Sequence, residues 1–215
     1  MMAKSSVEIV KTILKRTPLY GLYKTFKKGQ PYRKWIADGR PLPAPDFVKQ
    51  NTVVEFANRF KILVFIETGT YLGHMVNAVK EAFPEIYSIE LGKELFERAQ
   101  KEFAEIKHIA ILHGDSGKIL GQILNRIQKP CLFWLDGHFS EGITARGTVD
   151  TPIKAELTHI IKHPMARRHV ILIDDARLFT GAHDYPTIQY LKELVAPIGF
   201  SNFEVRDDII RIFNR

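Results

Sequence analysis

The stretch LVFIETGTYLG, residues 63–73, decides how this chain is read. An apolar run ends on Glu67, a turn carrying Gly69 and Gly73 follows, and apolar residues return at helical spacing in Leu72, Met75, Val76, Val79 and Phe83. Four more apolar runs end on carboxylates: IYSIE on Glu90, IAILHGD on Asp115, CLFWLD on Asp136, and VILIDD on Asp174 and Asp175. Such runs fit strands buried on both faces, and the amphipathic stretches between them imply parallel strands joined by right-handed crossovers. Open parallel sheets bind ligands outside the carboxyl ends of their strands, so these acids are expected to converge on one rim.

The intervening helices are read from Leu95, Phe96, Ala99 and Phe103 after Glu90, and from Ile119, Leu120, Ile123, Leu124 and Ile127 after Asp115. Asp46 is expected to cap a helix carrying Phe47, Val48 and Phe56 ahead of the first strand. GHFSEGITARGTVDTPIKAEL, residues 137–157, starts as a Gly-rich loop long enough to serve as a lid. It ends in a helix with Asp150 or Thr151 as N-cap and Pro152 in its first turn. YPTIQYLKELVAPIG reads as a final helix, and FEVRDDIIRIF as two strands around an Asp207-Asp208 turn.

With 215 residues and 45% hydrophobic content, the chain suits one well-buried domain. Its formal charge of +7 is concentrated at the amino end: residues 1–50 hold eleven Lys and Arg against Glu8, Asp38 and Asp46, a local net of +8. Residues 1–45 are therefore read as a basic arm with an amphipathic helical start and a Pro-rich end, and residues 46–215 as the catalytic domain. The single cysteine, Cys131, excludes an internal disulfide and fits a reducing, cytoplasmic setting. It opens its strand at the end away from the rim, which suits a core residue and not a nucleophile. No apolar stretch nears the roughly 20 residues that span a bilayer. Charge also interrupts the amino end too often for a signal peptide.

The turn after the first strand supplies glycines and free helix N–H groups, which allow close approach of a ligand. A dinucleotide fingerprint would place a glycine where Tyr71 stands, so a ligand without a pyrophosphate is favoured here. Glu90, one strand on, suits the two ribose hydroxyls. Asp115 and Ser116, one strand further, suit an adenine amino group. Together they form a nucleoside-binding pattern.

Over residues 50–215 the chain resembles the class I S-adenosylmethionine-dependent methyltransferases. ETGTYLG stands as their acidic glycine turn, Glu90 as their ribose acid, GDS at 114–116 as their adenine-side motif, and the terminal strand pair as their antiparallel edge. The resemblance implies an α/β, Rossmann-like, doubly wound sheet of seven mostly parallel strands with an antiparallel C-terminal strand. It also implies S-adenosylmethionine held by Glu67, Thr68, Gly69, Thr70, Tyr71, Gly73, Glu90, Leu91, Asp115, Ser116 and Asp136.

If the fourth and fifth strands are neighbours, Asp136, Asp174 and Asp175 bring carboxylate oxygens within reach of one cation, a donor set that suits Mg2+. DGH followed by IDD is similar to the macrocin-type sugar O-methyltransferases, where acids at these places hold a divalent metal. His138 stands where that group often has an acid. The reading is then methyl transfer to a hydroxyl of a small acceptor such as a sugar or glycan, with a metal on Asp136, Asp174 and Asp175, and with Asp136 and His138 catalytic. The other histidines carry no motif and are read as ordinary polar residues. Arg177 and the Asp184-Tyr185 pair are candidates for substrate contact or for loop shaping.

Lys15, Arg16, Lys24, Lys27, Lys28, Arg33 and Lys34, interleaved with Tyr20, Tyr23 and Phe26, suit an anionic membrane surface. Nucleic acid, a second protomer or plain solvent are the alternatives. Two other functions stay open: an RNA methyltransferase that docks through the arm, and a non-catalytic binding protein that keeps the cofactor fold. Against the first, no [DNS]-P-P-[YFW] tetrapeptide follows the fourth strand and no cysteine lies at the rim.

Overall fold

The computed structural model describes residues 31–137 and 151–215, so most of the basic arm, the loop from His138 and the Asp150 cap lie outside the described residues. The chain divides into two units, Met1–Leu42 and Pro43–Arg215. In the first, residues 31–37 are helical. Lys34 pairs with Asp38 at 2.6 Å, and Trp35 Nε1 donates to the Pro41 carbonyl at 3.0 Å.

The second unit is a seven-stranded sheet in the order β3-β2-β1-β4-β5-β7-β6. Its strands are β1 (Val64–Thr68), β2 (Glu85–Glu90), β3 (Ile109–His113), β4 (Cys131–Leu135), β5 (Val170–Ile173), β6 (Asn202–Arg206) and β7 (Ile209–Phe213). β1 to β5 pair in parallel, and β7 runs antiparallel to both β5 and β6. The helices are α1 (Asp46–Phe60), α2 (His74–Val79), α3 (Lys93–Phe103), α4 (Ser116–Leu124), α5 (Ile153–Lys162) and α6 (Ile188–Val195).

Each face of the sheet buries one helical layer. On one side α4, α5 and α6 contribute Leu120, Leu157 and Leu191 against Ile66, Phe133, Leu135, Ile171 and Ile212. On the other, α1, α2 and α3 contribute Phe56, Val76 and Phe103 against Phe65, Leu132, Trp134 and Leu172. Phe133 and Trp134 thus pack on opposite faces, as strand alternation requires. This is the doubly wound α/β sheet expected from the strand-and-acid repeat, with its antiparallel C-terminal strand. Among the described residues, no helix is long and apolar enough to cross a membrane.

Helix boundaries differ from the sequence reading where proline acts. Pro45 holds the N-cap position of α1, so Asp46 sits inside the first turn and makes no cap bond from Pro45's place. Pro152, in its turn, is the N-cap of α5, and Thr151 Oγ1 accepts from Ile153 N at 3.4 Å. α2 covers only six of the residues between Leu72 and Phe83. Left-handed Gly73 (φ +74°) starts it late, and Pro84 bars helical backbone at Phe83. The Asp207-Asp208 turn has both residues left-handed (φ 56° and 62°), as a two-residue hairpin demands.

Candidate functional site

Chain order reverses between β1 and β4. β2 and β3 extend the sheet from one side of β1, whereas β4 returns to pair with its other side. A crevice forms where strands part in this way, and the β1 and β4 ends meet there. Asp136 N donates to the Thr68 carbonyl at 3.1 Å, and Asp174 N donates to the Leu135 carbonyl at 3.1 Å, so the three strand ends are in step. A cleft open to solvent lies at this rim. One side is lined by Glu67, Gly69, Thr70, Tyr71 and Leu72, the other by Lys49, Asp136 and Asp174.

The turn after β1 is wound by three left-handed residues, Gly69, Tyr71 and Gly73. Its glycines make room for protein and not only for a ligand. A Cβ on Gly69 would lie 2.4 Å from the Asp136 carbonyl oxygen, and one on Gly73 would lie 2.9 Å from the Phe103 ring. Tyr71, which has no glycine's freedom, is fixed by its amide, which donates to Glu90 Oε2 at 2.8 Å. Gly92 N donates to Glu90 Oε1 at 2.8 Å. Glu90 therefore ties the β1 and β2 loops together, and each of its oxygens keeps a second lone pair.

Behind the turn, Ser88 Oγ donates to Glu67 Oε2 at 2.5 Å and shares a 2.6 Å hydrogen bond with Thr70 Oγ1. Burial, opposed by the Ser88 bond and helped by the Glu90 charge, pushes the Glu67 carboxyl up to about 8. On the α4 side, Asp115 caps the helix by accepting from Gly117 N at 2.9 Å. Ser116 is buried and donates to Glu156 Oε1 at 2.6 Å. Burial raises Glu156 to about 7. Thr68 Oγ1 lies near enough to oppose that rise, but makes no hydrogen bond of good geometry among the described residues.

The third element is the acidic end of β4 and β5. Asp136, Asp174 and Asp175 each offer an oxygen, all within 4.8 Å of one another. Lys49, from the first turn of α1, places Nζ 2.5 Å from Asp174 Oδ2 and 3.5 Å from Asp175 Oδ1. Arg177 closes on Asp175 at 2.8 Å and also bonds Asp208 at the β6–β7 turn. Burial raises Asp136 well above the carboxylate range, and the Asp174 charge adds to it. Burial, with Asp175 beside it, brings Asp174 to about 6. For Lys49, burial lowers the pKa, but the charge and hydrogen bond of Asp174, followed by Asp175 and Asp136, more than offset it and leave the ammonium above its ordinary value.

The sequence matches no protein-family model, and no curated protein matches it. Solved structures do. The O-methyltransferase TomG from Streptomyces achromogenes, in complex with SAM, superposes with a TM-score of 0.55 at 17% identity, over 88% of each chain. The SAH-bound methyltransferase PaMTH1 from Podospora anserina gives 0.52 at 13% identity, over 100% of this chain and 98% of that one. The chain has the methyltransferase fold. At such identities the likeness is one of fold.

On this methyltransferase fold, the expected site residues differ in what their side chains engage. Glu67, Gly69, Thr70, Tyr71 and Asp136 line the cleft. Glu90 borders it through Tyr71, with Leu91 beside Glu90 at the surface. Thr68, Gly73 and Ser116 are engaged inward: Thr68 is buried near Glu156, Gly73 packs on Phe103, and Ser116 bonds Glu156. Asp115 is committed through Oδ1 to its helix cap and keeps Oδ2 toward Lys118 at 3.7 Å. Asp136, Asp174 and Asp175 do converge, whereas His138 lies outside the described residues. Cys131 is buried at the far end of β4, where burial pushes its thiol up to about 12, so it is no nucleophile.

Two residues were missed. Lys49 belongs to a helix read only for its apolar face. Glu156 carries no motif, and the Ser116 hydroxyl from which it accepts lies 40 residues away. A lysine one position after buried Val48 is the only sequence sign of the first; the second has none.

Proposed function

We propose that this chain is an S-adenosylmethionine-dependent O-methyltransferase acting on a small hydroxylated acceptor, a sugar being the leading class. One observation carries the reading: the glycine turn of β1 and the carboxylates of β4 and β5 open into a single cleft at the strand crossover. That arrangement lets one molecule lie along the turn while a second approaches the acids.

The cofactor, when bound, supplies an electrophilic methyl group on a sulfonium. Glu90 would accept both ribose hydroxyls through its remaining lone pairs, and Asp115 Oδ2 would meet the adenine amino group. Gly69 and Thr70, beside Glu67, would border the amino-acid end. The acceptor hydroxyl would face Asp136, and its oxygen would gain the methyl group as its proton passes to Asp136 or His138. Asp136 suits a base because burial raises its proton affinity.

Hard oxygen donors such as Asp136, Asp174 and Asp175 are what Mg2+ takes. Lys49 already lies against two of them, Asp174 and Asp175, and the transfer to the acceptor oxygen rests on the protein's own side chains. The basic arm remains a candidate for an anionic membrane surface, and RNA is the alternative substrate it would serve.

The test is transfer of a labelled methyl group from S-adenosylmethionine to a panel of sugars, with a structured RNA in parallel. Label on a sugar hydroxyl, lost in Asp136→Asn, supports the reading. Label on RNA alone, lost when residues 1–30 are removed, would replace it.

A further inference from the structure

We infer that Lys49 is the resident cation of the acidic cluster: its ammonium takes the position a divalent ion would take between Asp174 and Asp175, and keeps such an ion out.

The geometry leaves room for one cation. Nζ lies 2.5 Å from Asp174 Oδ2 and 3.5 Å from Asp175 Oδ1, while the three carboxylates converge within 4.8 Å. A divalent ion bonding those oxygens at about 2.0–2.6 Å would overlap the ammonium. The lysine would have to leave, exchanging its hydrogen bonds for water. Nor is it a loose surface side chain, being only 15% exposed. Its stem leaves α1 beside Val48, Thr52 and Val53, all buried, so the helix that orients it is fixed in the core. Charge is offset in part as well: Lys49 and Arg177 stand against the three acids, and Asp175 is held by both.

The order of elements explains why a lysine can serve. A divalent ion would be gathered from β4 and β5 alone, whereas Lys49 ties the end of β5 to the helix that precedes β1. The cation thus arrives with the fold and needs no supply from solution. If the methyltransferase reading holds, on which this consequence rests, methyl transfer proceeds without added divalent metal.

The test is Mn2+ titration of the full chain followed by electron paramagnetic resonance of the free ion, which needs neither cofactor nor acceptor. The wild type is expected to bind Mn2+ weakly. Lys49→Ala and the shape-preserving Lys49→Met are both expected to gain a site at least tenfold tighter, equivalent to about 1.4 kcal/mol. Adding Asp174→Asn should abolish the gain. Circular dichroism verifies that each variant is folded. Wild-type binding as tight as that of Lys49→Met overturns the inference, and so does a folded Lys49→Met that gains no site. Failure of S-adenosylhomocysteine to bind would refute the methyltransferase reading and leave the Mn2+ result standing.

Discussion

Gly69 packs against the main-chain carbonyl of Asp136 so closely that a Cβ at Gly69 would lie 2.4 Å from that oxygen. The glycine turn and the acidic strand end are therefore one structural unit. Any side chain at Gly69 must separate β1's turn from β4's end, and its φ of +82° adds backbone strain. Gly69→Ala is expected to destabilise the protein by about 2–4 kcal/mol, combining the left-handed penalty with overpacking. Thermal unfolding should show a fall of several degrees, together with weaker binding of S-adenosylhomocysteine. An unchanged melting temperature would show that the two loops are not coupled.

Glu67 gives a pH dependence with a definite sign. Burial raises its folded pKa from 4.5 to about 8, so the folded state keeps a proton that the unfolded chain releases. The stability associated with that proton is fully present below pH 4.5, declines as pH rises, and is gone by about 8. Glu67→Gln keeps an acceptor for Ser88 and removes the titration. Denaturant melts should find the variant more stable at pH 8 by a few kcal/mol, on the order of 2–4. At pH 4 the difference should vanish. Equal stability at pH 8 would mean that Glu67 is ionised in the fold.

His169 gives the opposite window. Its Nδ1 accepts from Cys131 N at 3.0 Å, its Nε2 meets His163 Nδ1 at 2.9 Å, and His163 Nε2 meets the Ile127 carbonyl at 2.9 Å. The chain of bonds is satisfied only with both rings neutral and protonated on Nε2. Burial, with His163 beside it, lowers the His169 pKa from 6.5 to about 3. Its contribution is present above pH 6.5 and lost as pH falls toward 3. Nitrogen NMR at pH 7 should show two Nε2–H tautomers. His169→Gln should flatten the acid side of the stability profile, and an unflattened profile would place the acid sensitivity elsewhere.

Much of this architecture was legible because a carboxylate that ends an apolar run marks both a strand boundary and a rim position. Glu67, Glu90, Asp136 and Asp174 carry that double signal, and from them the parallel order and the convergence of acids could be read. What fills the space beside a glycine is not local: Gly69 answers to Asp136 and Gly73 to Phe103. Nor is a partner 125 residues away, as Asp174 is for Lys49. Glu156 shows the same limit, since a buried acid and a solvent-facing one look alike until the Ser116 hydroxyl is brought to it. The brevity of α2 could have been anticipated, because Pro84 stands in the sequence directly after the apolar series that suggested a longer helix.

Glu90 is the acid on which cofactor binding is expected to depend. It bridges Tyr71 N and Gly92 N, each at 2.8 Å, and holds the lone pairs that ribose would use. The decisive measurement is calorimetric titration of S-adenosylhomocysteine into the wild type and into Glu90→Gln. Saturable one-to-one binding by the wild type, weakened at least about tenfold in the variant, is the predicted result. A folded wild type that binds no S-adenosylhomocysteine would contradict the methyltransferase function.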